Sequence, residues 1–186
     1  MTQNGPMIVY RDRSNKEIRD IYFSQKLNNE WTHPVVVYND NWEINGCPVN
    51  GPKVVSNRIN TTIAWFTAAE GNPKVKVSFL SGSTFTEPIV LNDVDAIGRV
   101  DVAFVNDNEV LVSYMETDDM SAYLRCKKVT KNGMVSKEIT VSEINSGRST
   151  GMPQLEILDG FAYMVWTVSI NGKNQLKSVK IDLDTI

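Results

Sequence analysis

Two stretches of the chain, SQKLNNEWTHPVVV at residues 24–37 and SFLSGSTFTEPIVL at residues 78–91, share one pattern. Each starts with serine, carries an aromatic residue followed by threonine, and places a proline before an apolar run. The matching pairs, each separated by 54 positions, are Ser24 and Ser78, Trp31 and Phe85, Thr32 and Thr86, and Pro34 and Pro88. An internal repeat of this length predicts a fold built from similar units placed side by side.

Aromatic residues that close short apolar strands mark the same repeat along the whole chain. Tyr10 ends MIVY, Trp65 ends TIAW, Tyr114 ends LVSY and Trp166 ends YMVW, at intervals of 55, 49 and 52 residues. Aromatic side chains bury large apolar areas. We therefore predict that these four pack in the core between neighbouring sheets.

Short runs of β-branched and aromatic residues, separated by Gly, Asn, Asp and Pro, fill the sequence, and helical periodicity is hard to find. Four short antiparallel strands in each repeat of about fifty residues are typical of a β-propeller blade. The sequence thus predicts an all-β fold: a single domain over residues 1–186 that forms an incomplete β-propeller of about three and a half four-stranded antiparallel blades. The approximate blades are residues 5–46, 47–97, 98–150 and 151–186.

An arc of this kind would leave apolar blade faces uncovered at its ends. Two arrangements would cover them. Either the chain forms a homo-oligomer in which a second copy completes the ring, or the sequence belongs to a longer protein with further N-terminal blades.

Composition excludes several functional classes. The net charge of −3 and the pI of about 5.2 argue against a broad surface for nucleic acid or anionic membranes. The densest basic run, RCKKVTK at residues 125–131, is predicted to lie along a solvated strand. One histidine, His33, and two cysteines, Cys47 and Cys126, are too few for a zinc site, and we predict neither a metal nor another cofactor. No apolar run approaches the length of a membrane span, and no signal peptide follows Met1.

Strand order sorts the loops into two faces. In an up-and-down blade, the turn between the second and third strands lies at the same end as the link to the next blade. We predict that one face, rich in Arg, Asp, Glu and Asn, collects residues 11–20, 39–52, 67–73, 97–101, 115–121 and 146–153. The links between blades converge there on the central channel, so this face is the predicted location of any functional site.

The repeated stretches resemble the Asp-box of sialidase-type propellers, whose pattern is Ser-x-Asp-x-Gly-x-Thr-Trp. The second copy keeps Ser78, Gly82, Thr84 and the aromatic Phe85, with Leu80 in place of the aspartate. The first copy keeps Ser24 and Trp31, with Lys26, Asn28 and Glu30 at the other three positions. In that family the turn is structural and lies opposite the active site, in agreement with the two predicted faces.

A wider pattern, VYRDRS…EIRDI, INGCPVNGP, AWFTAA and GRVDV…VSYME, extends the resemblance to nearly the whole chain. It is similar to the C-terminal half of bacterial sialidase-like proteins, often described as the exo-α-sialidase family with BNR or Asp-box repeats. The resemblance implies a six-bladed propeller of sialidase type with blades in front of this segment. It also implies a glycan partner, sialylated or otherwise acidic, and export to the periplasm or the cell exterior.

Sialidase chemistry needs arginines that hold the substrate carboxylate, a tyrosine nucleophile activated by a glutamate, and an aspartate acid/base. The candidate catalytic residues on the predicted face are Asp12, Asp101, Tyr114 and Glu116. The candidate substrate-binding residues are Arg11, Arg13, Arg19, Asn50, Arg99 and Arg148. Structural alternatives stay open for several of them: Arg99 with Asp101 is typical of a strand-end ion pair, Tyr114 occupies the core-aromatic position, and RSNKEIR at residues 13–19 is typical of a salt-bridged turn.

Two functional hypotheses follow. The first is a glycan-processing propeller, a glycoside hydrolase of exo-α-sialidase type that is inactive as this segment alone. The second is a non-catalytic propeller that binds an acidic glycan or a protein on the same face.

Overall fold

The protein is organised as four antiparallel sheets in a computed structural model that describes residues 1–118 and 121–186. The first sheet contains β1 (Met7–Arg11), β2 (Ile21–Leu27), β3 (Glu30–Trp31) and β4 (Val35–Tyr38). The second contains β5 (Lys53–Ser56), β6 (Thr61–Thr67), β7 (Lys74–Ser81), β8 (Thr84–Phe85) and β9 (Ile89–Val90). The third contains β10 (Ala96–Asn106), β11 (Glu109–Asp118), β12 (Ser121–Thr130) and β13 (Ile139–Ile144). The fourth contains β14 (Gln154–Leu158), β15 (Phe161–Ile170) and β16 (Lys173–Asp182).

The strands of each sheet pair in chain order. In the third sheet the order is β10-β11-β12-β13, and in the fourth it is β14-β15-β16. In the first two sheets, a strand of two residues forms a hairpin with the long strand before it, and the last strand pairs with that same long strand. The innermost strands β5, β10 and β14 adjoin one another in sequence order, and β1, which is equivalent to the second strands β6, β11 and β15, lies beside β5. This arrangement confirms the predicted all-β propeller fold.

Apolar side chains fill the seams between successive sheets. Trp65 lies in the cluster between the first and second sheets, Tyr114 in the cluster between the second and third, and Trp166 in the cluster between the third and fourth. All three are buried and face the preceding sheet. The prediction of core packing is therefore confirmed for these three, whereas Tyr10, at the equivalent place in the first sheet, stacks on Tyr22 at a ring distance of 6.4 Å.

The repeated hairpin is held by the same pair of hydrogen bonds in three sheets. In each, a hydroxyl accepts a hydrogen bond from a backbone N–H of the long strand, and the hydroxyl residue donates its own N–H to the carbonyl of that same strand residue. The pairs are Thr32 with Gln25, Thr86 with Phe79, and Ser136 with Lys128. The third copy escaped the sequence comparison because serine replaces threonine and the loop before it is longer.

The predicted functional face carries the loops that join neighbouring sheets. Three short 3-10 turns occur in the described residues, at Ala69–Gly71, Arg148–Thr150 and Leu183–Thr185, and the first two lie in loops of this face. Residues 119 and 120, in the predicted loop 115–121, lie outside the described residues. Within the described residues, no helix has the length and apolar character needed to cross a membrane.

Candidate functional site

A pocket of about 190 Å³ lies where three inter-sheet loops meet, and two arginines share it. Val49 comes from the link before β5, Arg99 from the start of β10, and Arg148 with Gly151 and Met152 from the link before β14. The structure therefore brings together Arg99 and Arg148, two of the predicted substrate-binding residues, on a partly apolar surface. Val49 and Met152, which sequence reasoning missed, supply the apolar part; no pattern in the sequence marks them.

Arg99 is positioned by an irregularity in β10. The register with β11 shifts on either side of Gly98, and both Gly98 and Arg99 have positive φ, at 88° and 50°. Asn50 holds this bulge: its Oδ1 accepts the backbone N–H of Arg99 at 3.0 Å, and its Nδ2 donates to the carbonyl of Ile97 at 2.9 Å. Positive φ is costly for a residue with a side chain, so the residue that faces the pocket carries backbone strain.

The charge of Arg99 is poorly compensated within the protein. The residue is only 8% exposed, and its Nη1 contacts the sulfur of Met115 at 3.9 Å. Across residues 1–118 and 121–186, no ion pair involves either Arg99 or Arg148. Burial lowers the pKa of the Arg99 guanidinium, which means that the charged form lacks a stabilising partner there. An anion placed in the pocket would supply that partner.

Arg148 reaches the pocket from a tight turn. The 3-10 turn Arg148–Thr150 is anchored by Thr150, which is buried and donates its hydroxyl to the carbonyl of Asn145. Gly151 ends the turn with φ of 67° and donates its N–H to the carbonyl of Arg148 at 3.1 Å. The side chain of Arg148 itself is exposed. An exposed cation, held on a bonded turn, thus shares the pocket with the buried one.

Arg11 lies behind the pocket and forms hydrogen bonds with the segments around it. Its guanidinium donates to three backbone carbonyls, those of Arg19 at 2.6 Å, Phe66 at 2.6 Å, and Asn50 at 3.1 and 3.2 Å. It also stacks on Trp42, 4.8 Å from the ring centroid. Four of its five N–H donors are used in this way. Arg11 and Asn50 therefore hold the site together, and neither lines the pocket.

The turn at residues 11–20 contains three other candidates, and the structure gives it the salt-bridged form. Arg13 is exposed and pairs with Glu17 at 2.7 Å, and Arg19 pairs with the same carboxylate at 2.8 Å while donating to the carbonyl of Gly46. Asp12 is exposed just beyond β1. The turn is closed by Ser14, whose Oγ accepts the N–H of Ile18. Asp12, Arg13 and Arg19 are thus separate from the pocket of Arg99 and Arg148.

Asp101 lies on the inner strand β10 and is occupied by structural bonds. Its Oδ2 accepts the backbone N–H of Leu155 at 2.9 Å, which ties the third sheet to the fourth. Its Oδ1 accepts the N–H of Val102 and lies 3.8 Å from Nζ of Lys53 on β5. The expected ion pair of Asp101 with Arg99 is not formed, because Lys53 is the cation beside it. In the sequence, the position of Lys53 at the start of an inner strand could have predicted that it lies near Asp101.

Tyr114 and Glu116 point to the same side of β11, as predicted, but both are buried in the seam between the second and third sheets. Tyr114 donates its hydroxyl to Glu138 at 2.9 Å, and burial together with that carboxylate raises its pKa. Tyr114 thus takes the core position that was its alternative role, and it does not line the pocket of Arg99 and Arg148, so its catalytic role stays a prediction.

Glu116 belongs to a buried ionic network in the same seam. It is 2% exposed, and Arg125 pairs with it at 3.1 Å and with Glu138 at 3.2 Å. Lys127 pairs with Asp93 at 2.9 Å and lies 3.7 Å from Glu138. Burial and the nearby Glu138 raise the pKa of Glu116 to about 7, although Arg125 and Lys127 oppose that shift.

This network has two consequences for the sequence predictions. Glu116 has a pKa suited to proton transfer, yet it does not line the pocket, so its catalytic assignment gains no geometric support. The predicted solvated strand at residues 125–131 was wrong for Arg125 and Lys127, whose side chains are 12% and 8% exposed. Their alternation along β12 could have revealed this, because Arg125 and Lys127 face the same side as Tyr114.

The remaining reactive groups form no metal or thiol site. Cys47 is exposed and Cys126 is buried, and both are free thiols. Within the part of the chain that the structure describes, no group of three or more His, Cys, Asp or Glu side chains could hold a metal ion.

Comparison with known proteins finds a similar fold among solved structures. No protein-family model and no curated protein matches the chain. Among solved structures, an α-L-arabinofuranosidase from Lactobacillus brevis shares 12% sequence identity over 94% of this chain and 68% of its own, with a TM-score of 0.51. An α-L-arabinofuranosidase from Podospora anserina shares 12% identity over 88% of this chain and 67% of its own, with a TM-score of 0.44. The similarity to the Lactobacillus brevis structure, at 12% identity, shows a shared fold and no more.

Proposed function

We propose that this chain is part of a glycan-recognising β-propeller and that it binds a carboxylate-bearing sugar between Arg99 and Arg148. The observation that carries the proposal is the shared pocket, in which neither guanidinium has a carboxylate partner among the described residues. Guanidinium groups match the planar geometry of a carboxylate. The volume of about 190 Å³ is suited to one sugar ring.

The proposal assigns binding, and not hydrolysis, to this chain. Of the four candidate catalytic residues, Tyr114 and Glu116 lie in the core seam, Asp101 holds the fourth sheet, and Asp12 is exposed beyond the pocket. A general acid and a nucleophile must both reach the sugar's anomeric carbon. The described residues offer no such pair at the pocket of Arg99 and Arg148.

A second candidate function is glycoside hydrolysis, specifically of sialidase type. Its support is the fold shared with an α-L-arabinofuranosidase, together with the two arginines and the degraded Asp-box pattern. In this case the groups that complete the catalytic set would come from blades outside this chain. The substrate would again carry its carboxylate next to the bond that is cleaved.

The test is a binding titration followed by NMR, with the paired ligands glucuronic acid and glucose, which differ in a carboxylate and a hydroxymethyl group. We expect chemical shift changes around Arg99 and Arg148 with the acid only. Arg99→Ala should weaken binding of the acid roughly tenfold to a hundredfold, because a charge-assisted hydrogen bond is lost. Equal binding of glucose would overturn the proposal.

Arg13→Ala is the matched control, since it removes an arginine of the same face whose carboxylate partner is Glu17. Its affinity for glucuronic acid should equal that of the unmodified chain. A fluorogenic sialoside separates the two candidate functions. No turnover agrees with binding alone, whereas turnover that disappears in Arg99→Ala would establish the hydrolase and refute the non-catalytic assignment.

A further inference from the structure

A second pocket lies beside the one that Arg99 and Arg148 share, where the third and fourth sheets meet. Its volume is about 420 Å³, more than twice the 190 Å³ of the arginine pocket. Thr150 lines the second pocket and Gly151, the next residue, lines the first, so one turn contributes to the walls of both. Thr150 is buried and donates its hydroxyl to the carbonyl of Asn145, which holds this wall in place. Two pockets that share a bonded turn can receive neighbouring parts of one ligand.

The lining of the second pocket combines apolar and polar side chains. Val168 and Ile170 lie on one side of β15, and Ile144 at the end of β13 adds a third apolar group from the neighbouring sheet. Glu143 and Lys177, both exposed, add one negative and one positive charge. Sugar rings carry apolar C–H faces and polar hydroxyl edges, so a lining of both kinds suits them. Because the two charges balance, the pocket suits an uncharged sugar.

We propose that this second pocket is a subsite for an uncharged sugar linked to the carboxylate-bearing sugar, so that the ligand of this face is an oligosaccharide with one acidic unit. The inference rests on the proposed function, because it takes the acidic sugar between Arg99 and Arg148 as its starting point. The two pockets differ in charge as such a ligand requires: the first carries two arginines, and the second carries one lysine and one glutamate. Once the acidic unit is bound, the linked sugar meets its pocket at a high effective concentration, so the two contacts reinforce each other.

Titrations followed by NMR test this subsite by comparing glucuronic acid with a panel of disaccharides in which it is linked to different hydroxyl groups of glucose. We expect at least one disaccharide to bind about tenfold more tightly than glucuronic acid. It should shift the resonances of Val168 and Ile170, which glucuronic acid alone should leave unchanged. If glucuronic acid binds and no disaccharide binds more tightly, the subsite is wrong and the proposed function stands. If none of these acids binds, the proposed function itself is refuted.

Ile170→Asp tests where the second sugar binds. Ile170 is 43% exposed, so the variant should fold, and its carboxylate would be placed against the apolar face of the sugar. The ratio of disaccharide to glucuronic acid affinity should fall from about ten to about one. Leu176→Asp is the matched control, because it adds the same charge to the same hairpin at a residue that is 76% exposed and does not line the pocket. Its ratio should equal that of the parent chain. A ratio that stays at the parent value in Ile170→Asp would overturn the proposal.

Discussion

At the scale of single residues, Arg11 and Arg99 show two opposite uses of a guanidinium group on one face. Arg11 donates to three backbone carbonyls and stacks on Trp42, so its donors are nearly exhausted. Arg99 is buried more deeply than the half-buried Arg11, but it contacts little beyond the sulfur of Met115. A satisfied buried cation stabilises the fold, whereas an unsatisfied one adds a cost that a bound anion relieves.

We predict that Arg11→Ala destabilises the fold by about 2–4 kcal/mol. The substitution leaves the carbonyls of Arg19, Asn50 and Phe66 without their charged donor, and hydrogen bonds to charged groups contribute more than neutral ones. Urea unfolding measures the free energy. Arg13→Ala is the control, because its exposed pair with Glu17 should change stability by less than about 1 kcal/mol. Equal losses in the two variants would contradict the structural role of Arg11.

Sequence reasoning identified both arginines as binding residues and could not separate them. The partners of Arg11 are main-chain carbonyls, which every residue type carries, so no pattern of side chains in the sequence predicts them. Asn50 and Phe66 are far from Arg11 in the sequence, and only the packing of the first two sheets brings them into contact with it. Arg99 and Arg148 were correctly placed on one face because strand order alone decides which loops share an end.

At the scale of elements, the bulge at the start of β10 positions Arg99, and Gly98 makes the bulge possible. A Cβ at Gly98 would lie 2.8 Å from Cγ of Phe66 and 2.9 Å from Nδ2 of Asn50. These distances are shorter than normal contacts, and φ of 88° is itself unfavourable for other residues. The glycine therefore allows three segments to meet behind the pocket: β6, β10, and the link that precedes β5.

We predict that Gly98→Ala costs about 2–4 kcal/mol of folding free energy and also weakens binding of glucuronic acid. The cost combines backbone strain with overpacking against Phe66. Gly133→Ala isolates the first part, because Gly133 has φ of 90° and no atom within 4 Å of the position of its Cβ. We expect this control to lose about 1–2 kcal/mol and to bind normally. If the two variants behaved alike, contact behind the pocket would not matter for the site.

The repeated elements show how far a pattern of residue types can predict a fold. Alternation, turn residues and the 54-residue spacing were enough to predict the four sheets and the burial of Trp65 and Trp166. The third hairpin, closed by Ser136, kept the hydrogen bonds while losing the sequence pattern. Side chains that bond to the backbone can be exchanged for others with a hydroxyl, and the pattern then fades although the geometry persists.

At the scale of the whole molecule, the seam between the second and third sheets contains a buried ionic network. Glu116, Glu138 and Asp93 face two cations, Arg125 and Lys127. The Oε2 atom of Glu116 is buried and has no hydrogen-bond partner among the described residues. A proton on Glu116 reduces the excess of negative charge, so the cohesion of the arc is coupled to pH.

We predict that stability at this seam declines as pH rises through 7. The pKa of Glu116 is about 7 in the folded chain against its ordinary value of 4.5, so the folded state binds the extra proton between these values. The stabilisation is complete below about pH 4.5 and is lost above pH 7. Burial is the first cause of the raised pKa, Glu138 the second, and Arg125 and Lys127 act against it.

Glu116→Gln removes the titrating group from this seam while it keeps the side chain's size. Urea unfolding at pH 5, 6, 7 and 8 should show the variant gaining about 1–3 kcal/mol relative to the parent chain as pH rises. Glu30→Gln, at an exposed position in β3, should follow the parent at every pH. A constant difference between Glu116→Gln and the parent would mean that Glu116 is already ionised at pH 5. Arg125 and Lys127 would then compensate an ionised Glu116 over the whole range, and the free energy of unfolding would not depend on pH through this seam.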